Sequence, residues 1–291
     1  MRSLLFVPGD SERKLAKAFA SEADVVIVDL EDSVSAENKS AARSITSGFI
    51  VSNRASTQAR IYVRVNDLGS GLTDDDLAHV IKSKPDGIML PKSNGGADVQ
   101  TLSVKLRVAE AEAGLPDGST DILAIITETA AGVLAAGTYA KASKRLCGVT
   151  WGAEDLSAAI GAHSARDDAG RYTELFRLAR SMTLLAASDA GVEPIDAVYP
   201  DFRDAAGFEM ECRAALRDGF TGKLAIHPAQ VAIINAIFTP SVETLAHAQA
   251  LVDAFAAAGN PGVVGVSGKM YDRPHLRLAQ RILARASTVN S

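Results

Sequence analysis

The residues of this chain best suited to chemistry are acids that stand at the ends of apolar runs. Ala124-Ile-Ile-Thr-Glu-Thr129 and Gly148-Val-Thr-Trp-Gly-Ala-Glu-Asp155 share that shape. A short apolar run bounded by turn residues reads as a buried parallel strand. A carboxylate at its C-terminal end stands where such sheets keep their active sites. Glu128 and Asp155 are 27 positions apart, room for one strand–helix–strand unit. We read them as neighbours on one rim that converge on a divalent cation; two exposed loop acids are the plainer alternative. None of the five histidines has the spacing of a two-histidine zinc motif. Two carboxylates completed by waters favour Mg2+ over Zn2+.

Other strand ends add to the inventory. Asp29-Leu-Glu-Asp32 puts three acids in four positions, and acids that close need a cation or a proton. Arg64 interrupts the apolar strand Tyr62-Val-Arg-Val-Asn66, and a buried arginine must be paired. Its fork suits a carboxylate in two-pronged fashion, from a substrate or from the acids of strand two. Lys92, in Met89-Leu-Pro-Lys92, has the type of a Schiff-base or phosphate lysine, although pairing with an acid is the simpler expectation. His227, just before Pro228 at a helix start, reads as structural. Arg2, Arg13, Lys14 and Lys17 form a basic cluster around the start of the first helix, a place that can hold phosphate. On its own the cluster reads as a solvated face.

These residues need a frame, and the hydrophobic pattern supplies one. Strand-like runs recur at Ser3–Val7, Val25–Leu30, Ile61–Val65, Gly87–Leu90, Ile122–Thr127, Leu146–Trp151, Ile195–Tyr199 and Lys223–Ile226. Helical pattern covers Ser11–Ala20, Ser35–Ile50, Asp74–Lys82, Ala97–Ala113, Ala130–Ala142, Tyr172–Ala190, Phe202–Asp218 and Pro228–Phe238. Gly114, Gly191 and Gly219 stand just past helix ends, as capping glycines do. This alternation predicts an α/β fold, a (β/α)8 TIM barrel over residues 1–240. A doubly wound open sheet would want a glycine fingerprint after strand one, and Val7-Pro8-Gly9-Asp10 has none. Residues 241–291 read as a C-terminal helical extension of two helices, Val242–Ala258 and Pro274–Ala286, joined by a glycine-rich loop. With no strand partner in view, the extension is expected to pack outside the barrel on a neighbouring subunit.

Composition narrows the function classes. Hydrophobic residues make up 47 % of the 291 positions, and the net charge is −5 with histidines neutral, so no nucleic-acid footprint is expected. Cys147 and Cys212 give neither a disulfide framework nor metal spacing, which suits a reducing cytoplasm. No apolar run long enough to span a membrane is expected, and the N-terminal run is read as strand one rather than a signal peptide.

Taken in order, Arg2-Ser-Leu-Leu-Phe-Val-Pro-Gly9, Val28-Asp-Leu-Glu-Asp-Ser-Val34, Val63-Arg-Val-Asn66, Leu90-Pro-Lys92, Glu128, Gly152-Ala-Glu-Asp-Leu156, Gly219-Phe-Thr-Gly-Lys-Leu-Ala-Ile-His-Pro228 and Gly268-Lys-Met270 run through nearly the whole chain. The chain resembles the citrate lyase beta-subunit-like branch of the HpcH/HpaI aldolase family. The resemblance implies Mg2+ held by Glu128 and Asp155, with Glu31 and Asp32 bonded to waters of the metal shell and Arg64 on the oxo-acid part of the substrate. It implies a carbon–carbon lyase that cleaves or forms citryl, malyl or citramalyl thioesters, giving an acyl thioester and a 2-oxo acid. The carrier would be coenzyme A, bound in part by Arg13, Lys14 and Lys17, or an acyl-carrier protein in a citrate lyase complex. A malyl-CoA thioesterase and a class II pyruvate aldolase on free acids are the related alternatives. Homotrimers or hexamers are expected, with the C-terminal segment over the next subunit's site. In the family an aspartate commonly precedes the glycine of Gly268-Lys-Met270. Ser267 stands there in this chain, and Asp272 is the nearest other carboxylate.

Overall fold

The computed structural model describes residues 1–289. Parallel strands close into a barrel in chain order: β1 (Ser3–Pro8), β2 (Val25–Asp29), β3 (Arg60–Arg64), β4 (Gly87–Leu90), β5 (Asp121–Ile125), β6 (Leu146–Thr150), β7 (Glu193–Asp196) and β8 (Gly222–Ala225). β8 closes on β1 with Ser3 beside Lys223 and Leu5 beside Ala225. The helices of the outer ring are α1 (Glu12–Phe19), α2 (Lys39–Asn53), α3 (Thr73–Val80), α4 (Gly96–Glu112), α5 (Ala130–Leu134), α6 (Ala153–Ile160), α7 (Glu174–Ala190), α8 (Ala205–Asp218) and α9 (Pro228–Phe238). The expected (β/α)8 barrel is therefore the fold.

Strand alternation decides what faces the lumen. Leu4, Ile27, Tyr62, Met89, Leu123, Ile125, Ile195 and Leu224 fill it as one buried cluster. Burying all five residues of β2 requires cover on both faces, lumen on one and helices on the other. The same alternation carries Val25 and Ile27 on to Asp29, and Tyr62 on to Arg64, so both polar residues reach the mouth of the lumen. Register sets them side by side, with Asp29 paired to Arg64 and Arg64 to Met89.

Some elements differ from the sequence reading. The helix expected over 130–142 stops at Leu134 and continues as a 3-10 turn, Ala136–Thr138. Gly132 and Gly137 weaken it, and the Thr138 hydroxyl donates to the Ala135 carbonyl. α6 was not expected; Gly161 at φ 70° ends it. The Ser35 hydroxyl makes no cap, and α2 begins only at Lys39.

Contacts divide the chain into two compact units, Met1–Asn235 and Ala236–Ser291, a boundary five residues ahead of the expected one. The second unit holds α10 (Val242–Ala257), β9 (Val263–Val266), β10 (Lys269–Asp272) and α11 (Arg273–Val289). Ala248, Leu251, Phe255, Val264, Leu276 and Ala279 form its core. The glycine-rich stretch is thus an antiparallel hairpin rather than a loop, with Val266 paired to Lys269 across Ser267-Gly268. Both turn residues have positive φ, 48° and 75°. Such a two-residue turn favours Asn, Asp or Gly at its first place. Ser267 is thus the first residue of the turn, and Asp272, the nearest other carboxylate, ends β10.

Pro228–Ala257 has the length and hydropathy of a membrane span, against the expectation of none. It is not one helix: Thr239-Pro240-Ser241 separates α9 from α10, and the Ser241 hydroxyl caps α10 by accepting from the Thr244 N–H. Val231, Ile234, Phe238, Leu251 and Phe255 along it are buried in the protein. Cys147 and Cys212 are free thiols.

A carboxylate cluster at the C-terminal mouth of the barrel

Arg64, at the end of β3, commits two nitrogens of its fork to Asp29, Nε to Oδ1 and Nη2 to Oδ2, both at 2.7 Å. Asp29 is buried and also accepts the backbone N–H groups of Glu31 and Ser33. These bonds outweigh burial and hold its carboxyl below the usual range. The third nitrogen, Nη1, lies 3.0 Å from Glu31 Oε2 and 3.9 Å from Asp32. The Arg64 guanidinium also covers the Phe6 ring at 4.9 Å. The pairing with strand-two acids is thus present, and only the Nη1 edge is left toward the mouth.

The turn after β2 is tied down by Lys39, whose ammonium donates to the carbonyls of Leu30 and Glu31. Glu31 is consequently held inward and buried, while Asp32 is exposed. Burial pushes the Glu31 carboxyl up to about 7, against the pull of Arg64 and Lys92. Its Oε2 has no hydrogen-bond partner.

Glu128 follows β5 and is almost fully buried. Its Oε2 accepts the backbone N–H of Lys92. Burial, reinforced by the charge of Asp155, pushes its carboxyl up to about 8. Gly152 makes room for it: a Cβ there would stand 2.7 Å from Glu128 Cγ. Asp155 lies in the first turn of α6, where the helix dipole favours an anion, and is half-buried. Lys92 bridges the two halves of the site. Its ammonium hydrogen-bonds Glu31 Oε1, with Asp32 at 3.3 Å and Asp155 at 3.5 Å. Glu31, Asp32, Arg64, Glu128 and Asp155 are therefore brought together, with Lys92 as the counter-ion that acid pairing predicted.

Arg13, Lys14 and Lys17 are exposed on α1, which starts beside the end of β1. Arg2 does not join them: it pairs with Asp24 at 2.6 Å. His227 stacks on Phe202, and its Nδ1 accepts the Ala229 N–H. The sequence reading gave no role to Lys39 or Gly152. A lysine after a run of acids was the only trace of the first, and the glycine before Ala153-Glu-Asp155 of the second.

The residues fit a divalent cation. A buried carboxyl pushed up by burial and a second carboxylate, and an ammonium lodged among acids, mark a cluster short of positive charge. Among the described residues, no group of three His, Cys, Asp or Glu is arranged to ligate a metal unaided. Glu128 and Asp155 are two carboxylates at one mouth, and Mg2+ takes one or two carboxylates with several waters.

A barrel with this cluster at its C-terminal mouth defines a class. Residues 2–228 match the family model of HpcH/HpaI aldolase/citrate lyase, and the chain belongs to that family. Over 287 residues it is 35 % identical to the citrate lyase subunit beta of Escherichia coli, covering 98 % of this chain and 93 % of that protein. It is equally similar, 35 % over 290 residues, to a (3S)-malyl-CoA thioesterase of Cereibacter sphaeroides, covering 99 % and 95 %. Among solved structures it resembles the protein CitE of Mycobacterium tuberculosis in complex with magnesium, acetoacetate and coenzyme A, with TM-score 0.79, 35 % identity and 98 % coverage of both chains.

Proposed function

We propose that this chain is a Mg2+-dependent carbon–carbon lyase that cleaves or forms a 3-hydroxyacyl thioester of coenzyme A of the malyl, citramalyl or citryl type. The observation that carries the reading is the meeting of buried Glu128 with Asp155, Glu31, Asp32 and Arg64 at one barrel mouth. A relative crystallised with magnesium, acetoacetate and coenzyme A supports it.

Glu128 and Asp155 would hold the metal, and Glu31 and Asp32 would accept hydrogen bonds from its waters. When bound, the metal supplies Lewis acidity to the substrate carboxylate and the oxygen beside it. The Nη1 edge of Arg64, fixed in direction by Asp29, donates to the oxo-acid part and stabilises charge developing on its oxygen. Glu31, with a carboxyl near neutrality and its Oε2 held by Arg64 only as an ion pair at 3.0 Å, is placed to take the hydroxyl proton. The C–C bond then breaks, its electron pair passes to the thioester as an enolate, and a 2-oxo acid leaves. Reprotonation of the α-carbon completes the acyl thioester. Arg13, Lys14 and Lys17 would contact the phosphates of coenzyme A.

A second reading, hydrolysis of malyl-CoA, is favoured by the similarity to the Cereibacter thioesterase. An acyl-carrier protein would replace coenzyme A if the chain serves as a citrate lyase beta subunit. A homotrimer or hexamer, with the C-terminal unit reaching the next subunit, belongs to the same proposal. The test is product analysis on malyl-, citramalyl- and citryl-CoA. A lyase releases a 2-oxo acid and acyl-CoA. A thioesterase releases free malate and coenzyme A.

A further inference from the structure

Lys92 is an unusual residue in an unusual position. It has φ 50°, one of few non-glycine residues here in the left-handed region. Lysine has no side-chain reason to adopt that conformation, which an L residue takes only when its surroundings impose it. The backbone turn does two things at once. It aims the Lys92 N–H at Glu128 Oε2 and sends the ammonium across the mouth to Glu31, Asp32 and Asp155. One residue therefore touches both acids of the proposed metal pair, one through its backbone and one through its side chain. Its ammonium is the cation that reaches Glu31, Asp32 and Asp155 together.

We propose that the Lys92 ammonium is a built-in counter-ion that stands in for the divalent cation, and that metal entry between Glu128 and Asp155 displaces it from Asp155 and Asp32 and leaves it on Glu31 alone. This rests on the reading of Glu128 and Asp155 as the metal pair. Two cations cannot share Asp155 at close range without strong repulsion. The lysine thereby weakens metal binding, keeps the apo cluster from flying apart by like-charge repulsion, and leaves Glu128 pre-set by a backbone bond that no side-chain movement breaks. Lys92 acts on the metal through its ligands, so it is a positioning residue.

The experiment is Mn2+ binding to the full chain, read by electron paramagnetic resonance of the free ion, for the wild type, Lys92→Met and Lys92→Arg. Mn2+ shares the oxygen-rich, six-coordinate preference of Mg2+. Lys92→Met keeps the backbone N–H and removes the charge. It is expected to bind Mn2+ about tenfold tighter or more, given the size of a unit charge at this range, while Lys92→Arg stays within about threefold of wild type. A second readout is thermal: Lys92→Met should melt lower than wild type in chelator and gain more Tm from Mg2+. Tighter binding by Lys92→Met, or binding by it alone, supports the proposal. Equal or weaker binding, with wild type binding normally and the melting curve still cooperative, overturns it while sparing the metal pair. Absence of binding by both proteins overturns the metal pair and the proposal together.

Discussion

Arg64 and Asp29 lie directly opposite each other on β3 and β2 and share two hydrogen bonds of 2.7 Å. The arginine proposed to face substrate is thus one whose direction is set from behind. Removing Asp29 should therefore harm stability and chemistry together. Asp29→Asn leaves a buried guanidinium without its partner and is expected to cost about 3–5 kcal/mol. Arg64→Lys keeps the charge but loses the fork, and is expected to lower kcat/KM by about a hundredfold or more. Urea unfolding of Asp29→Asn and steady-state kinetics of Arg64→Lys check the two halves.

Glu128 illustrates a site maintained against stability. Its carboxyl is pushed up to about 8 by burial and by Asp155, whereas the unfolded chain has it near the ordinary value of 4.5. The unfolded state thus loses its proton first as pH rises, and the metal-free fold is penalised from about pH 4.5 upward, fully above pH 8. Glu128→Gln should accordingly raise Tm in chelator at pH 8, with the gain shrinking toward pH 5. Scanning calorimetry at both pH values reads this directly.

The same group ties metal affinity to pH. On the proposed metal pair, Glu128 and Glu31, at about 8 and about 7, would have to lose protons before the site held a divalent cation and its waters. Metal uptake should release about one proton or more below pH 7, and affinity should fall about tenfold or more per pH unit between pH 7 and 6. Calorimetry in buffers of different ionisation heat counts those protons. A pair of ordinary surface acids would show no such dependence.

Gly152 offers a change of one methyl group. A Cβ there would meet Glu128 Cγ at 2.7 Å and Oε1 at 3.3 Å. Gly152→Ala is expected to abolish Mn2+ binding or weaken it by at least about tenfold, while the barrel still unfolds cooperatively. Mn2+ titration beside a thermal melt separates the two effects.

Away from the mouth, Arg145 and Glu110 form a buried two-pronged pair, Nη1 to Oε1 and Nη2 to Oε2 at 2.7 Å. Burial alone would raise the Glu110 carboxyl, but Arg145 and the N–H groups of Gly118 and Thr120 hold it at about 2. A depressed carboxyl stabilises the fold above its unfolded value of 4.5, and that support fades as pH falls from there toward 2. Glu110→Gln should cost about 3–5 kcal/mol at pH 7. The gap to wild type should narrow below about pH 4.5 in denaturant titrations.

Much of this was legible in the sequence, for physical reasons. Fully buried strands such as Val25–Asp29 are nearly continuous apolar runs, so each strand was found, β4 to the residue and the others with one or both ends off by one to three residues. Acids at the ends of such runs can only lie at the mouth, which placed Glu31, Asp32, Glu128 and Asp155. Direction was not legible. Whether the Arg64 fork meets a substrate or Asp29 depends on register, and three acids stood within reach of it. The hairpin around Ser267-Gly268 was missed because Val263–Val266 is a short run in a glycine-rich stretch, and its partner Lys269–Asp272 starts and ends on charged residues and buries none of its residues. Helix α6 was missed because Gly152-Ala-Glu-Asp155 was read as the end of a strand.

The central claim is tested most directly by incubating the protein with malyl-, citramalyl- and citryl-CoA in the presence of Mg2+ and measuring released 2-oxo acid, with Glu128→Ala alongside. The account predicts glyoxylate, pyruvate or oxaloacetate from one of the three, abolished by chelator and by Glu128→Ala. Absence of any 2-oxo acid from all three thioesters, with metal demonstrably bound, would contradict it.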